Sequence, residues 1–360
     1  MRTRVSMPLK GRGTADSRAG RFEPRQVEAV DDGWWREEEI RAPATEVRAE
    51  VARSIVSRND SPDLPFSQSI NPFRGCEYGC VYCYARPTHA YVNLSSGLDF
   101  ETRLFFKSNA ADLLERELSR PGYRPAVVHI GASTDPYQPI ERETRITRAL
   151  LEVLLRFRHP CTVTTKSHLV LRDLDLLAEL AKERLCRVMV SVTTLEDELK
   201  RRLEPRTPSP AARLKAMTGL ARAGVPVGVL AAPMIPALND HELERILEAA
   251  ARAGATLAGY VLLRLPHEVK ALFEDWLMAH EPLRAGHVLA RIRAMRSGEL
   301  NDASFGARFK GRGVEAQLLA KRFELACRRL ELTRGRDGGL NLQAFRVPPR
   351  AGDQMEFAGL

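Results

Sequence analysis

Arg74-Gly75-Cys76-Glu77-Tyr78-Gly79-Cys80-Val81-Tyr82-Cys83-Tyr84 places three cysteines in a C-x3-C-x2-C spacing within one short loop. At most three residues separate neighbouring thiols, so their sulfurs must surround a common centre. Thiolates in such a loop bind zinc or an iron–sulfur cluster. A structural zinc ion needs a fourth protein ligand, which His89 can supply in a Cys3His arrangement. A [4Fe–4S] cube held by three cysteines leaves one iron open, and unliganded thiols are the third alternative.

Length and composition limit the class of protein. The chain has 360 residues, 44% of them apolar, which is enough for one large core of α/β-barrel size with terminal extensions. No apolar run reaches the ~18 residues that cross a bilayer, and the first residues lack the apolar core of a signal peptide. Six cysteines, three of them clustered, fit a reduced compartment better than a disulfide framework. We therefore expect a cytoplasmic protein that does not bind membranes.

The charge distribution bears on partners. The formal net charge is +9, and the stretch from Arg284 to Arg336 contains 13 basic and 5 acidic residues. A basic surface attracts nucleic acid, so we treat nucleic acid as a candidate partner of this C-terminal region. The competing explanation is compositional, because 46 of the 55 basic residues are arginine, as a GC-rich genome would produce.

One short motif occurs twice, as Lys10-Gly11-Arg12-Gly13 and as Lys310-Gly311-Arg312-Gly313. A Gly-Arg-Gly unit exposes backbone N–H groups and a guanidinium to anions such as phosphate. Two flexible basic turns explain a four-residue repeat at least as well.

The hydrophobic pattern predicts three regions. Residues 1–66 lack sustained periodicity and predict a basic, irregular N-terminal arm. Strand and helix patterns then alternate, which predicts a partial (β/α)6 TIM-like barrel of the α/β class over residues 67–280. A mostly helical, basic C-terminal extension with a flexible tail is expected over residues 281–360. The predicted strands cover residues 69–71, 126–130, 162–165, 187–192, 225–230 and 257–263.

Polar side chains follow the predicted strands where barrels of this kind carry their working residues, at the C-terminal strand ends. Ser133 and Asp135 follow strand two, Lys166 ends strand three and Ser191 ends strand four. A cation and an anion among hydroxyls can hold a zwitterionic ligand. After strand five the chain becomes apolar over residues 231–236, which suits the face of an adenine. Further polar side chains at these ends are Thr134, Ser167 and Thr193, and Glu204 and Arg206 follow a little later in the chain.

The remaining cysteines are interpreted as structural. Cys161 and Cys186 fall at the N-terminal starts of strands three and four, which a five-residue strand separates from the site by roughly 17 Å. Cys327 lies in a helix-like stretch outside the predicted barrel.

The cysteine loop resembles that of the radical S-adenosylmethionine (SAM) superfamily, whose pattern is C-x3-C-x-aromatic-C, with Tyr82 as the aromatic. The resemblance implies a [4Fe–4S] cluster on Cys76, Cys80 and Cys83, with SAM on the open iron. It also implies an electron donor, a reductase or a protein of flavodoxin or ferredoxin type. The implied activity is reductive cleavage of SAM to methionine and a 5'-deoxyadenosyl radical, which abstracts a hydrogen atom from a substrate.

Further motifs narrow the resemblance to the branch that includes spore photoproduct lyase and the proteins named DNA repair photolyases after it. They are Thr165-Lys166-Ser167, Arg172-Asp173-Leu174-Asp175, Glu204-Pro205-Arg206 and Ala231-Ala232-Pro233, with Ser69-Ile70-Asn71-Pro72, Thr134-Asp135-Pro136-Tyr137-Gln138-Pro139 and Ile235-Pro236-Ala237-Leu238-Asn239-Asp240 marking an uncharacterised bacterial family. The SAM contacts of the lyase match Tyr84, Ser133, Lys166, Ser191 and an alanine at 231 or 232. We take Ala232, and we add Asp135 from the strand ends.

The sequence departs from the lyase at one important place. Gly131 stands where the lyase has its hydrogen-donating cysteine, so cleavage of spore photoproduct by that route is not expected. The sequence identifies neither the catalytic residue, the substrate nor the oligomeric state, and nucleic acid is one candidate substrate. Tyr78, Tyr91 and Tyr137 are candidates for quenching the product radical only through their proximity. The alternative function is a Cys3His zinc protein that binds nucleic acid without catalysis.

Overall fold

The computed structural model describes residues 9–15, 17–18, 21–22, 44–334 and 339–349. The first described elements are β1 (Glu46–Glu50), β2 (Val56–Arg58), β3 (Gln68–Ile70), β4 (Phe73–Arg74), α1 (Leu98–Thr102), β5 (Arg103–Lys107) and α2 (Ala110–Leu118). The central part contains β6 (Val128–Ile130), α3 (Glu141–Thr144), α4 (Ile146–Arg156), β7 (Cys161–Thr165), α5 (Leu174–Lys182), β8 (Cys186–Val192), α6 (Asp197–Leu203), α7 (Pro210–Arg222) and β9 (Val227–Met234). The last elements are α8 (Leu243–Arg252), β10 (Leu257–Leu262), α9 (Val269–His280), α10 (Ala285–Ala294), α11 (Gly313–Arg329) and β11 (Thr333–Arg334). Short 3-10 helices cover Arg86–Val92, His168–Asp173, Asp240–Glu242 and Leu342–Ala344.

Within the described chain, the main sheet has eight strands in the order β11-β10-β9-β8-β7-β6-β3-β2. The strands from β3 to β10 in this order pair in parallel, while β2 joins one edge antiparallel to β3. Helical crossovers between parallel strands cover the sheet, as such connections require. The predicted α/β class and partial barrel are therefore confirmed.

The core lies between the parallel strands and their crossover helices. Buried and half-buried side chains alternate along β7 and along the first half of β8, and the last three residues of β8 are all buried. Val163, Val188 and Val190 are fully buried. On the helix side, Leu154 of α4 and Leu177 of α5 are also fully buried. Branched apolar residues at these spacings fix the register, because a one-residue slip would turn every buried side chain outward.

The structure differs from the predicted strands in two places. β9 continues to Met234, so Ala231 and Ala232 belong to the strand and not to a turn after it. Ala231 pairs with Val192 of β8 and with Tyr260 of β10, and this pairing on both sides outweighs the weak strand preference of alanine.

The second difference concerns the region predicted to be irregular. β1 and β2 both lie within residues 1–66, and β1 forms a three-stranded sheet with β5 and β4. The sequence of β1, Glu-Val-Arg-Ala-Glu, is mostly exposed and charged, so hydrophobic periodicity does not indicate a strand there. The region boundaries at residues 66 and 280 stay predictions. Residues 1–8, 16, 19–20 and 23–43 of the N-terminal arm and the tail after residue 349 lie outside the described residues.

A C-terminal loop, residues 302–309, contacts the main sheet near both of its edges. Asp63, in the connection from β2 to β3, accepts hydrogen bonds from the backbone N–H of Gly306 at 2.8 Å and from Arg308 Nε at 2.8 Å. At the other side, the N–H of Leu262 in β10 donates to the carbonyl of Phe309 at 2.8 Å. The loop therefore bridges the open side of the partial barrel. None of the described helices has the length and apolar content to cross a membrane.

Candidate functional site

The cysteine loop follows β4 and is fixed by its backbone. Gly75 and Gly79 have φ values of +78° and +66°, a left-handed conformation that costs glycine little. The N–H of Cys76 donates to the carbonyl of Phe100 at 2.9 Å, and that of Cys83 donates to the carbonyl of Cys80 at 3.2 Å. All three thiols are free of disulfides. The loop reaches the C-terminal ends of the parallel strands, because the Tyr82 hydroxyl lies 3.1 Å from Thr193 Oγ1, directly after β8.

A buried ion pair supports this loop from behind. Arg86 is fully buried and donates to the carbonyl of Cys80 at 2.9 Å and to the carbonyls of Ser96 and Gly97 at 3.0 Å each. Its remaining guanidinium nitrogen contacts Glu101 Oε1 at 2.5 Å, and Glu101 is also fully buried. Arg86 therefore holds the backbone between the second and third cysteines in one place.

Burial disfavours the thiolate form of all three cysteines in the absence of a bound cation. Burial raises the pKa of the Cys80 thiol to about 12, and burial also raises the pKa of Cys76 and of Cys83. A reactive free cysteine needs the opposite shift, because the thiolate is its nucleophilic form. A bound cation deprotonates a coordinating thiol outright. The loop therefore does not suit nucleophilic catalysis by a free thiol.

A zinc ion and a [4Fe–4S] cube require different spacings of the three sulfurs. A tetrahedral zinc ion with Zn–S bonds of about 2.3 Å brings its sulfurs about 3.8 Å apart. Among the described residues, the group with three metal-ligand atoms within 4.8 Å of one another is Glu196, His241 and Glu242, and it includes no cysteine. A [4Fe–4S] cube instead binds each cysteine at a different corner and leaves one iron open.

His89 packs behind the cysteine loop. Its Nε2 lies 2.9 Å from the carbonyl oxygen of Arg103, and its ring packs edge-on against Phe100 with centroids 5.2 Å apart. Burial lowers the pKa of His89 to about 4, so the ring is neutral near pH 7. Its Nδ1 is buried and has no hydrogen-bond partner among the described residues, so one ring nitrogen stays available as a ligand atom.

Three of the predicted SAM-contact residues meet at the ends of β7, β8 and β9. Lys166 Nζ donates to Ser191 Oγ at 3.0 Å, and Ser191 Oγ donates to the carbonyl of Ala232 at 3.2 Å. The ammonium of Lys166 also lies 6.0 Å from the ring centroid of Tyr82, in the cysteine loop. These strand ends and the cysteine loop therefore form one continuous polar rim.

A buried carboxylate organises this rim. Glu204 is fully buried and contacts Arg213 and the Tyr82 hydroxyl; it accepts from Thr193 Oγ1 at 2.6 Å and lies 3.7 Å from Lys166 Nζ. Burial by itself raises the pKa of Glu204, but the charges of Arg213 and Lys166 outweigh burial and lower it to about 2. Glu204 is therefore an anion that holds two cations beside the cysteine loop.

Asp135 and Ser133 occupy the loop after β6 in different ways. Asp135 Oδ1 accepts from Thr165 Oγ1 at 2.6 Å, and Oδ2 accepts from the N–H of Lys166 at 2.7 Å. Both oxygens thus bind the chain itself, so Asp135 orients Lys166. The N–H of Ser133 donates to Asn71 Oδ1 at 2.7 Å, which ties the same loop to the end of β3.

The other polar groups predicted at the strand ends also have local partners. Thr134 Oγ1 donates to the carbonyl of Phe73 at 3.1 Å, and Ser167 Oγ accepts from the N–H of Leu169 at 3.2 Å. Arg206 pairs with Glu77 at 2.6 Å, outside the polar rim. Their contacts assign these side chains to local structure.

Tyr84 stands at the mouth of the site with 47% of its surface exposed. Its hydroxyl donates to the carbonyl of Ala132, and the guanidinium of Arg264 lies 5.5 Å from its ring centroid. Arg264 lies at the same time 4.8 Å from the centroid of Phe309, in the bridging loop. Tyr84 therefore joins the cysteine loop to the loop that closes the barrel.

The tyrosines considered as radical quenchers have different surroundings. The hydroxyl of Tyr78 donates to the carbonyl of Tyr137 at 3.0 Å, and that of Tyr137 donates to Asp173 at 3.1 Å. Tyr91 is 69% exposed and packs against Phe22. Of these, Tyr78 lies in the cysteine loop itself.

Several important residues were not predicted from the sequence. Arg86, Glu101, Arg213 and Arg264 are polar residues whose positions depend on contacts distant in sequence. A pattern analysis places arginine on the exposed face of a helix, whereas Arg213 of α7 is 1% exposed. The one available signal is the nearness of Arg86 to Cys83. Cys161 and Cys186 begin β7 and β8, and Cys327 is buried in α11, as the structural interpretation requires.

Comparison with known proteins agrees with this geometry. The sequence profile of the Radical SAM superfamily matches residues 70–250, which is half of the chain. An uncharacterised protein of Mycobacterium tuberculosis strain H37Rv is 38% identical over 221 residues. This match covers 61% of the present chain and 65% of the relative.

Solved structures share the fold. Spore photoproduct lyase complexed with dinucleoside spore photoproduct superposes with a TM-score of 0.61 at 17% identity, over 80% of this chain and 81% of that chain. A mutant of that lyase with bound AdoMet and dinucleoside spore photoproduct gives a TM-score of 0.59 at 17% identity and the same coverage. At this identity the likeness concerns the fold. Because the sequence profile of the Radical SAM superfamily matches half of the chain, the protein belongs to this superfamily of enzymes, whose cofactors are a [4Fe–4S] cluster and SAM.

Proposed function

We propose that this protein reductively cleaves SAM at a cluster held by Cys76, Cys80 and Cys83 and abstracts a hydrogen atom from a further substrate. The observation that supports the proposal is the polar rim, in which Lys166, Ser191 and the cysteine loop lie together at one end of the barrel. When bound, the cluster and SAM supply a carbon radical at the cost of one electron.

The chain's own residues bind, orient and exclude water. Lys166 presents a cation suited to the carboxylate of SAM, and Ser191 presents a hydroxyl beside it. Ala232 offers a small apolar surface at the end of β9, where an adenine can lie flat. Glu204 holds Lys166 from behind through a 3.7 Å ion pair, and Asp135 fixes its backbone.

The first test is a comparison of cysteine variants under anaerobic conditions. Cys80→Ala should lose most of the bound iron and sulfide and should form no 5'-deoxyadenosine from SAM and a chemical reductant. Cys327→Ala, which removes a buried cysteine of α11, is the matched control and should keep both. Equal iron content in the two variants would contradict the proposed ligand set.

A second test separates SAM binding from cluster binding. Lys166→Gln should weaken SAM binding by about 10- to 100-fold, the effect of removing one charged hydrogen bond. Its iron content should stay at the level of the unmodified protein. Lys182→Gln, at an exposed position of α5, should change neither quantity. An unchanged affinity for SAM in Lys166→Gln would remove Lys166 from the proposed site.

The structure also constrains how the reaction ends. Gly131 has a φ of +96°, and a Cβ there would lie 2.5 Å from the carbonyl oxygen of Thr164. A cysteine therefore does not fit this position without a shift of the backbone. We infer that any return of a hydrogen atom uses another group, so this chain does not follow the lyase route at Gly131.

One observation favours a nucleic acid as the substrate. Arg264 lies between the rings of Tyr84 and Phe309 at the mouth of the site, and no described carboxylate pairs with its guanidinium, whose Nε is buried. Nearby, Arg308 lies 4.9 Å from the centroid of Phe305, which is 60% exposed. Arginines and exposed aromatic rings together bind the phosphates and bases of single strands.

A binding experiment tests this substrate class. Arg264→Gln should weaken binding of a short single-stranded oligonucleotide by about 10-fold, and the affinity of the unmodified protein should fall steeply with salt. Arg252→Gln, at the C-terminal end of α8, serves as the control of equal charge. Binding that is absent or independent of salt would leave the enzyme without this substrate class.

A further inference from the structure

Lys200, in the last turn of α6, is a buried lysine that the proposed reaction does not use. Its residue is 7% exposed, whereas lysine is rarely buried to this extent without a paired anion. Among the described residues its ammonium has no ion-pair partner, and it donates one hydrogen bond, to the carbonyl of Pro205 at 3.4 Å. Burial and then the charge of Arg213 lower the pKa of Lys200, and the opposite effect of Glu204 does not cancel them. This buried cation therefore needs an explanation.

The C-terminal end of α6 and the residues after it lie along the cysteine loop. The N–H of Val81 donates to the carbonyl of Leu203 at 3.1 Å, and the N–H of Arg206 donates to the carbonyl of Tyr78 at 3.3 Å. In the loop, these two hydrogen bonds lie on either side of Cys80. The segment after α6 is thus fixed against the part of the loop that contains the second cysteine.

The ammonium of Lys200 belongs to this contact. Pro205 lies between the two fixed ends of the segment, so an ammonium bonded to its carbonyl lies beside the loop near Cys80. The electrostatics agree, since the negative charge of a Cys80 thiolate raises the pKa of Lys200. Cys80 is itself buried and forms no disulfide.

Three other cations described beside the loop each contact a buried carboxylate. They are Arg86, which pairs with Glu101, and Arg213 and Lys166, which share Glu204. Lys200 differs from them, because its charge has no such partner within the described chain. Its field therefore acts on the loop with little compensation, and it is strong there because the surroundings are buried.

The charge around an iron–sulfur cluster is one of the quantities that set its reduction potential. A cluster becomes more negative by one charge when it accepts an electron, so a nearby cation favours the reduced state. We propose that Lys200 raises the reduction potential of the cluster by stabilising its reduced state through the ligand Cys80. The proposal rests on the proposed function, which makes Cys80 a cluster ligand. No bond and no proton changes at Lys200, which acts through its charge alone.

The competing explanation is structural. Lys200 lies near the C-terminal end of α6, where a cation is favourable to the helix dipole and can bond a terminal carbonyl. This role would affect the stability of the fold and would leave the reduction potential unchanged. The two explanations therefore differ in a measurable quantity.

The test uses two neutral variants that separate the charge from the hydrogen bond. Lys200→Gln removes the charge and keeps a donor for the carbonyl of Pro205, whereas Lys200→Met removes both. Lys215→Gln, at an exposed position of α7, is the control. Each cluster-loaded protein is equilibrated anaerobically, without SAM, with dithionite and a redox dye of known potential. The absorbance then gives the ratio of reduced to oxidised cluster.

We expect this ratio, at a fixed potential of the dye, to fall about 10-fold in both Lys200 variants, which corresponds to ~59 mV for a one-electron couple. It should stay within about 2-fold in Lys215→Gln, because water and salt screen an exposed charge. Lys200→Met should also unfold at a lower urea concentration than Lys200→Gln, since the carbonyl of Pro205 loses its donor.

An unchanged ratio in Lys200→Gln would overturn the proposal and leave Lys200 with the structural role. A fall in Lys200→Met alone would do the same, because the lost hydrogen bond would then be the cause. If Lys200→Met does not fold, Lys200→Gln alone decides. Absence of SAM cleavage in the unmodified protein would instead contradict the proposed function, and the ratios of reduced to oxidised cluster would still be measurable.

Discussion

Glu204 illustrates how a single buried charge sets the geometry of the site. Its carboxylate contacts Arg213, which is 1% exposed, and Lys166. Removing one member of a buried ion pair leaves the other charge without compensation, at a cost of about 3–5 kcal/mol. We expect Glu204→Gln to lower the free energy of unfolding by this amount in urea. Glu198→Gln, whose side chain is 77% exposed, is the control and should change it by less than about 0.5 kcal/mol.

The same variant should change the acid dependence of stability. The pKa of Glu204 is lowered from 4.5 to about 2 in the folded protein. A lowered carboxylate pKa contributes stability above the unfolded value of 4.5, and that stability is lost as the pH falls towards 2. Glu204→Gln should therefore flatten the pH profile in this range. An unchanged profile would show that Glu204 is not the anion described above.

At the scale of elements, the N-terminal motif depends on a close backbone contact. A Cβ on Gly13 would lie 1.7 Å from the carbonyl oxygen of Gly79, inside the cysteine loop. Gly13→Ala should therefore displace the motif from Glu101, at a cost of about 1–3 kcal/mol. Iron should then be lost faster to a chelator, because Glu101 would no longer hold Arg86 in its orientation against the carbonyl of Cys80.

Gly286 supplies the matched control for this variant. A Cβ at Gly286, in the first turn of α10, meets no atom within 4 Å. Gly286→Ala should release iron at the rate of the unmodified protein. Equal chelation rates in the two variants would show that the motif does not support the cysteine loop.

The bridging loop, residues 302–309, depends on Asp63. Its carboxylate binds both the N–H of Gly306 and the guanidinium of Arg308 at 2.8 Å. Asp63→Ala should free the loop, and hydrogen exchange of its amides should become at least about 10-fold faster. Asp60→Ala, three residues earlier in the same connection, should leave the exchange unchanged. Slow exchange in Asp63→Ala would mean that Phe309 and Leu262 hold the loop without this contact.

At the scale of the whole molecule, the sequence predicts what depends on local pattern and spacing. The cysteine trio and the parallel strands follow from such patterns, and the structure confirms the fold. The expectation that working residues lie at the C-terminal ends of the strands also placed Lys166 beside Ser191, and the two are hydrogen-bonded in the structure. Their contacts with SAM stay predictions. Arg213 and Arg86 escaped prediction because a buried arginine is stabilised by partners that only the folded chain brings near.

Buried histidines give the folded chain a further property that its pattern does not show. His89, His129 and His159 are at most 9% exposed, and burial lowers the pKa of each from 6.5 to about 4. Each binds a proton in the unfolded chain before it does so in the folded protein. Their stabilising effect is complete above the unfolded value of 6.5 and declines as the pH falls towards 4.

We therefore expect the free energy of unfolding to fall by up to about 4 kcal/mol per pH unit between pH ~6.5 and ~5, a range in which most carboxylates stay ionised. Urea unfolding of the apoprotein at several pH values measures this slope. His129→Gln removes one of the three protons and should reduce the slope by about a third. His287→Gln, at an exposed position of α10, should leave it unchanged. If His129→Gln kept the full dependence of the unfolding free energy on pH, His129 would bind its proton equally well in the folded and unfolded chain. Its burial against Phe66 would then not lower its pKa.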